Sequence, residues 1–317
     1  MITVAGEALI DIVVGASGSL RAVPGGGPFN VARTVARLGG ESQFLGRLSE
    51  DPFGHRLRAA LRRDGVRVVV EEPTAAPTTV AMAQIDEQGV ADYRFYLEGT
   101  SAAQLEDDDV PPELLAGTGA LVVGGLGLVV EPIASTLRAL VGAAPPSLLT
   151  MLDPNCRPRA IRDPLLYRRR IDGFAKAVDL VKVSTEDLAV LRPGEDIDEA
   201  ARGLLCLGPA AVLVTDGPAP VRIVTAAGER SVPVPPVSIA DTVGAGDAFV
   251  AACLVGWSEA GLRRADLGDP DALAGVAGDA VRVAAAACTV SGANLPAGFR
   301  RDRPAVRPRT TAPASGG

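Results

Sequence analysis

The chain has 317 residues, 47% of them hydrophobic and 22% charged, which is globular material long enough for one large α/β core with an accessory element. A net charge of −7 argues against a nucleic-acid surface, because phosphate binding needs clustered cations, and the densest basic spot, Arg168–Arg170, reads as a solvated helix face. Four scattered cysteines with no C-x-x-C pair, and His55 as the single histidine, argue against a disulfide framework, a zinc site and Ser-His-Asp chemistry. With no leader-like start and no apolar run near the roughly 18–20 residues a membrane span needs, a cytoplasmic protein without a membrane partner is expected.

In chain order, strands are predicted at 2–5 and 9–14, split by Gly6-Glu7. A helix follows over 28–38, with Val31, Val35 and Leu38 on one face, Pro28 near its start and Gly39-Gly40 ending it. A strand at 42–48 and an amphipathic helix at 53–64 come next. The stretch 66–98 changes character: VRVVVEE, TTVAMAQID and ADYRFYLEG are β-type, with DEQG at 86–89 as a hairpin turn, so this insert reads as a small separate sheet. Beyond 120 the pattern alternates again. Strands are expected at 120–124, 147–152, 178–183, 211–215 and 221–225, with helices at 131–142, 163–175, 185–192 and 196–207. Two further helices follow at 246–260 and 270–290. Near-continuous apolar strands between helices predict a parallel sheet covered on both faces. The Pro-, Arg- and Ser-rich tail from 301 is expected to be disordered.

The chemistry concentrates in DTVGAGDAF, residues 241–249. The run after it is helix-compatible, so Gly244, Ala245 and Gly246 stand at a helix N-terminus. The first amides there lack intrahelical acceptors and carry the positive end of the dipole. Such a turn suits phosphate, or the charge developing on a migrating phosphoryl group. An Asp at the same place, Asp247, can take the proton of an attacking hydroxyl. On these residues alone, Asp247 reads equally well as a helix cap. There is no P-loop, and no dinucleotide fingerprint follows the first strand.

DTVGAGDAF resembles the C-terminal signature of the phosphofructokinase-B/ribokinase family of sugar kinases, and GGGPFNVARTVARLG at 25–39 resembles its N-terminal one. EGTSAAQL (98–105), DPNCRP (153–158), VKVSTEDL (181–188) and VTDG (214–217) lie between them, similar to the fructokinase branch. The resemblance covers residues 1–299. It implies a ribokinase-like three-layer α/β fold over residues 1–300, with a mainly parallel central sheet and a small β-sheet lid. The lid is expected mainly from 66–98 with part of 9–22.

The same resemblance implies the roles. Asp247 would be the catalytic base, and the amides of Gly244, Ala245 and Gly246 the anion hole. Asp11, Gly25, Gly26, Asn30 and Arg157 would hold the sugar; a carboxylate such as Asp11 is a strong double acceptor for a polyol. Asp153 and Asn155 would line the cleft, and Tyr93, Phe95 and Tyr96 are candidate lid contacts. Ser184, Thr215, Gly217 and Asn294 would bind ATP. Glu186 would hold Mg2+ through water, and Asp241 lies near a K+ site in several relatives. Two departures stand out: Val183 occupies the place of an Asn found in many relatives, and Pro218 and Pro220 stand in a usually flexible loop. The expected activity is ATP-dependent fructokinase, with 2-keto-3-deoxygluconate, ribose or nucleoside kinase on the same fold as alternatives, and a non-catalytic sugar or nucleotide sensor as the reading from another class. A homodimer through the lid follows from the resemblance alone.

Overall fold

A computed structural model describes residues 1–15, 18–85 and 91–301. The hairpin turn expected at 86–89 and the tail beyond 301 lie outside the described residues. The main sheet has nine strands. β1 (Ile2–Ala5), β4 (Ser42–Leu45), β5 (Arg67–Val68), β8 (Ala120–Gly124), β9 (Leu149–Asp153), β10 (Leu180–Ser184) and β11 (Ala211–Asp216) run parallel, and β12 (Ala219–Thr225) and β13 (Gly228–Val232) close one edge antiparallel. Their order is β13-β12-β11-β10-β9-β8-β1-β4-β5.

The apolar strands are buried on both faces because each face is covered by helices. Alternate residues divide between two cores. Met151, Leu180 and Leu213 face α1 (Gly27–Arg37), α2 (Pro52–Arg63), α7 (Ala245–Glu259) and α8 (Pro270–Ala287). Leu152, Val181, Val183, Val212 and Val214 face α3 (Ile133–Gly142), α4 (Pro164–Ala175), α5 (Thr185–Leu191) and α6 (Ile197–Leu205). α7 is apolar all round, and every residue from Asp247 to Trp257 is buried, as a helix in the middle of a layer must be.

The antiparallel pair at one edge makes the sheet mainly rather than wholly parallel, as expected. β11 and β12 are joined across Gly217-Pro218, with Gly217 at a φ of 49°. Two residues cannot make a crossover, so the next strand must fold back as a hairpin. The stretch with Pro218 and Pro220 is thus a tight turn and the start of a strand.

A second sheet has four strands in the order β3-β2-β6-β7: β3 (Leu20–Gly25), β2 (Leu9–Val14), β6 (Val80–Ile85) and β7 (Ala91–Tyr96). The strands at 9–14 and 20–25 therefore contribute half of it. The segment 66–72, read as part of the insert, contributes only β5, which pairs with β4 in the main sheet. The hydrophobicity of VRVVV served the larger core, where Val66, Val68 and Val70 are buried. Register puts Val23, Asp11, Ala81 and Phe95 in one cross-strand row. Tyr93 stacks on Phe95 at 6.1 Å on that face, whereas Tyr96 is one residue out of phase and faces the other way.

Candidate active site

The site forms where the carboxyl ends of β1, β8 and β9 meet the N-termini of α1 and α7, the usual place for a ligand in an open α/β sheet. Val4, Val122–Gly125, Gly27, Pro28, Val31, Asp153, Asn155 and Asp247 line a cleft there. Gly244 caps α7 with a φ of 81°, and an added Cβ would stand 2.5 Å from that of Ala293. Both the left-handed backbone and the close approach exclude a side chain. The helix that follows carries Asp247 in its first turn.

Asp247 is 6% exposed. Its Oδ2 accepts from Asn30 Nδ2 at 2.9 Å, and its Oδ1 from Asn155 Nδ2 at 3.4 Å. Burial raises its pKa, opposed by the Asn30 hydrogen bond and by the charges of Arg157 and Lys182. No side chain caps α7, so the alternative of Asp247 as a helix cap is not what is observed. Asn30 is placed by α1, where its amide donates to the Gly26 carbonyl at 2.9 Å. Its Oδ1 is buried and has no hydrogen-bond partner, an arrangement that favours a donor from a ligand. Asn155 holds a φ of 43°, a strained conformation for a non-glycine residue, and this turn aims it at Asp247.

Asp11 sits on β2 against Gly25 of β3, and a Cβ on Gly25 would fall 2.0 Å from Asp11 Oδ2. Burial pushes the Asp11 carboxyl up to about 6, with Arg157 opposing. Arg157 itself is exposed and donates to the carbonyls of Asn155 and Cys156. Asp11, Gly25, Gly26, Asn30, Arg157 and Asp247 are thus brought to one place.

The residues expected at the nucleotide spread along the same sheet edge. Ser184 ends β10, Thr215 lies near the end of β11 with its hydroxyl 3.4 Å from the Val183 carbonyl, and Gly217 makes the following turn. Asn294 is exposed beyond α8, accepting from Arg37 and donating to the Ser291 carbonyl. Ser184 spends its hydroxyl as a cap, accepting from the Asp187 amide at 3.0 Å. Gly244, Ala245 and Gly246 are half-buried, and the Ala245 amide already donates to the Thr242 carbonyl at 3.2 Å, because the turn closes on itself. Asp241 ties two loops together: its oxygens accept from the Val243 and Gly292 amides at 3.0 and 2.8 Å.

Two residues escaped the sequence reading. Glu186 is exposed, while its neighbour Asp187 is buried and accepts from the amides of Ser184 and Cys156 at 2.8 and 2.6 Å. The S-x-x-D spacing of a capping box was the available signal. Lys182 is also buried, 3.3 Å from Asp153, and a lysine inside the strand LVKVS was its signal. Burial pushes Asp153 up to about 6 in spite of Lys182. Among the described residues no group of three His, Cys, Asp or Glu side chains forms a metal cluster, and no helix is long and apolar enough to cross a membrane.

Comparison with known proteins gives these features a context. The model of the pfkB family of carbohydrate kinases matches residues 1–298. A fructokinase of Klebsiella pneumoniae is 34% identical over 307 residues, covering 95% of this chain and 97% of that protein. Among solved structures, a fructokinase with bound ATP from Xylella fastidiosa superposes with a TM-score of 0.82 at 26% identity, covering 92% of this chain and 93% of that one. A fructokinase from Vibrio cholerae O395 in a fructose-, ADP- and calcium-bound form gives 0.79 at 26% identity, covering 92% and 94%. The three-layer architecture with its second small sheet is the ribokinase-like fold these neighbours share. With one family model spanning nearly the whole chain, and a turn and acid at α7 that match its signature, the chain belongs to the pfkB family of carbohydrate kinases, phosphotransferases with a sugar hydroxyl as acceptor.

Proposed function

We propose that the chain is an ATP-dependent fructokinase in which Asp247 accepts the proton of a sugar hydroxyl. The hydroxyl oxygen bonds to the γ-phosphorus, the bond from that phosphorus to the β,γ-bridging oxygen breaks, and ADP leaves. The observation that carries this reading is the Asn30–Asp247 pair. A buried carboxylate in the first turn of α7 is held by an amide whose own oxygen has no partner, so a hydroxyl that donates to Asn30 Oδ1 lies within reach of the base. Phosphoryl transfer needs little else beyond positioning and charge stabilisation. The half-buried turn Gly244–Gly246 suits the migrating group, with the Gly246 amide favoured over that of Ala245.

Asp11 and Arg157 would bind the remaining hydroxyls, and Gly25 and Gly26 let them approach. The small sheet would act as a lid that excludes water, with Tyr93 and Phe95 on the face that Asp11 occupies. ATP would lie along Ser184, Thr215, Gly217 and Asn294. For Mg2+, the donor set favours Glu186, since the oxygens of Asp187 are taken by backbone amides; bound through water, the ion would neutralise phosphate charge. Asp241 fits a K+ site as an organiser of its loops, both of its oxygens being engaged. Four free cysteines favour a reducing cytoplasm. Leu20 and Tyr96, exposed on the small sheet, favour a homodimer through it, which sedimentation would test.

Fructose is chosen from the relatives: the Klebsiella protein is a fructokinase, and the Vibrio structure holds fructose and ADP. ADP release measured over fructose, ribose, 2-keto-3-deoxygluconate and a nucleoside tests the choice. The highest kcat/KM is expected with fructose. A different leader would replace the substrate, and ATP binding without turnover on any of them would make the protein a sensor.

A further inference from the structure

The surroundings of Asp247 include a cation that the proposed mechanism has not used. Lys182 lies on β10 between Val181 and Val183, on the sheet face that carries Leu180 and Leu213. It is 4% exposed, and a lysine so placed needs partners to remain charged. Its Nζ is 3.3 and 3.4 Å from the two oxygens of Asp153, longer than the roughly 2.7–2.9 Å of a tight charge-assisted hydrogen bond. The ammonium is therefore not consumed by one partner. Burial works against its charge, and Asp153, Asp187 and Asp247 together outweigh that. It also lies behind the glycine turn, since a Cβ on Gly246 would stand 3.2 Å from Nζ. Gly246 is the residue immediately before Asp247 in the first turn of α7.

The charged groups facing Asp247 come from three strands and one turn: Asp11 on β2, Asp153 at the end of β9, Arg157 in the turn after it, and Lys182 on β10. Asn30 of α1 is neutral. The two cations differ in kind. Arg157 is exposed, its guanidinium bonded to backbone carbonyls, so water and salt screen it. Lys182 is sealed under the turn, where a charge is screened far less.

We propose that Lys182 is a positioning residue of the phosphoryl transfer: its buried ammonium, paired with Asp153, is the fixed positive charge behind the Gly244–Gly246 turn against which Asp247 stays a carboxylate. This rests on the reading of Asp247 as the base. An ion pair that only stabilised the fold would answer differently, because removing both partners would then restore function as well as stability.

The test compares the wild type with Lys182→Met, Asp153→Asn/Lys182→Met and Asp247→Asn, recording thermal stability and kcat and KM for fructose across pH. Loss of a nearby cation raises a carboxyl pKa, so the acid limb of kcat should move to higher pH in both lysine variants, by about one unit, a tenfold effect. KM for fructose should stay within about twofold in Lys182→Met, since Lys182 is buried and is not among the residues that line the cleft. The double variant, which removes the Asp153–Lys182 pair as a unit, should regain thermal stability while the limb stays displaced, and it carries the test if Lys182→Met alone does not fold. An acid limb at the wild-type pH in the double variant, with kcat restored, overturns the proposal and leaves Lys182 a structural ion pair. Asp247→Asn separates the two readings. If it abolishes turnover while the limb is unmoved in the lysine variants, the base stands and the lysine role falls; if it retains wild-type turnover, both fall.

Discussion

Asp187 and Asp247 are the same residue at the same place in two helices, the third position of α5 and of α7, and both are buried. Their partners differ. Asp187 turns back to its own cap, accepting from the Ser184 amide, and its other oxygen accepts from the Cys156 amide. Asp247 follows a glycine cap with no side chain to reciprocate, and reaches across to Asn30 and Asn155 on other elements. Backbone amides fix a carboxylate in place and leave it only a structural task. Side-chain amides from two other elements hold it at a cleft, where burial keeps its pKa above the ordinary carboxylate value. Asp187 stands in a capping box closed by Ser184, whereas Asp247 stands behind a glycine cap that has no side chain to close one.

The largest expected effect is on Asp247. Asp247→Asn keeps the shape and removes the base, so kcat should fall by about 10²–10⁴-fold with ATP affinity retained, measured by ADP release and by nucleotide titration. Near wild-type turnover would break the contrast at its functional end. Asp187→Asn should do the reverse. An amide nitrogen facing backbone donors costs about 1–3 kcal/mol, visible in denaturant melts, while kcat at permissive temperature falls by less than about tenfold. Lost turnover at full stability would mean that the two acids had been assigned the wrong way round.

A smaller effect separates the base from the sugar-side acid. Asp11 carries a carboxyl raised to about 6. As pH falls through that value it gains a proton and loses acceptor capacity, so KM for the sugar should rise on the acid side. A KM flat across that pH would remove Asp11 from the sugar site. The smallest effect sharpens the difference between the two asparagines. Asn155→Ala loses only a long contact of 3.4 Å, so kcat should drop by only about threefold. Asn30→Ala, which loses a bond of 2.9 Å and the unpartnered oxygen, should cost about tenfold or more in kcat/KM. Equal losses would mean that the amide pair acts as one unit.

Much of this was legible before any coordinates. The helix over 28–38, the parallel strands and the turn before Asp247 follow from periodicity, apolar runs and glycines at a helix start. Three things were not. Leu20–Gly25 has weak alternation, and it is a strand because β2 offers it an edge. Gly228–Val232 exposes most of its side chains, so no hydrophobic pattern marks it. The hydrophobic VRVVV segment looked like part of the insert, but local pattern cannot say which sheet a strand joins. In the site, Asp187 escaped notice because helix position, not residue type, decides which acid turns inward.

The sequence by itself determined the class of fold, the family and the small set of acids and glycines that chemistry would use, because those are matters of residue type and local spacing. Tertiary structure alone decided what each of those acids became. Asn30 and Asp247 are 217 positions apart in the chain and 2.9 Å apart in space. The burial, partners and charges that set a carboxylate's proton affinity are supplied by strands and helices that the local sequence does not specify.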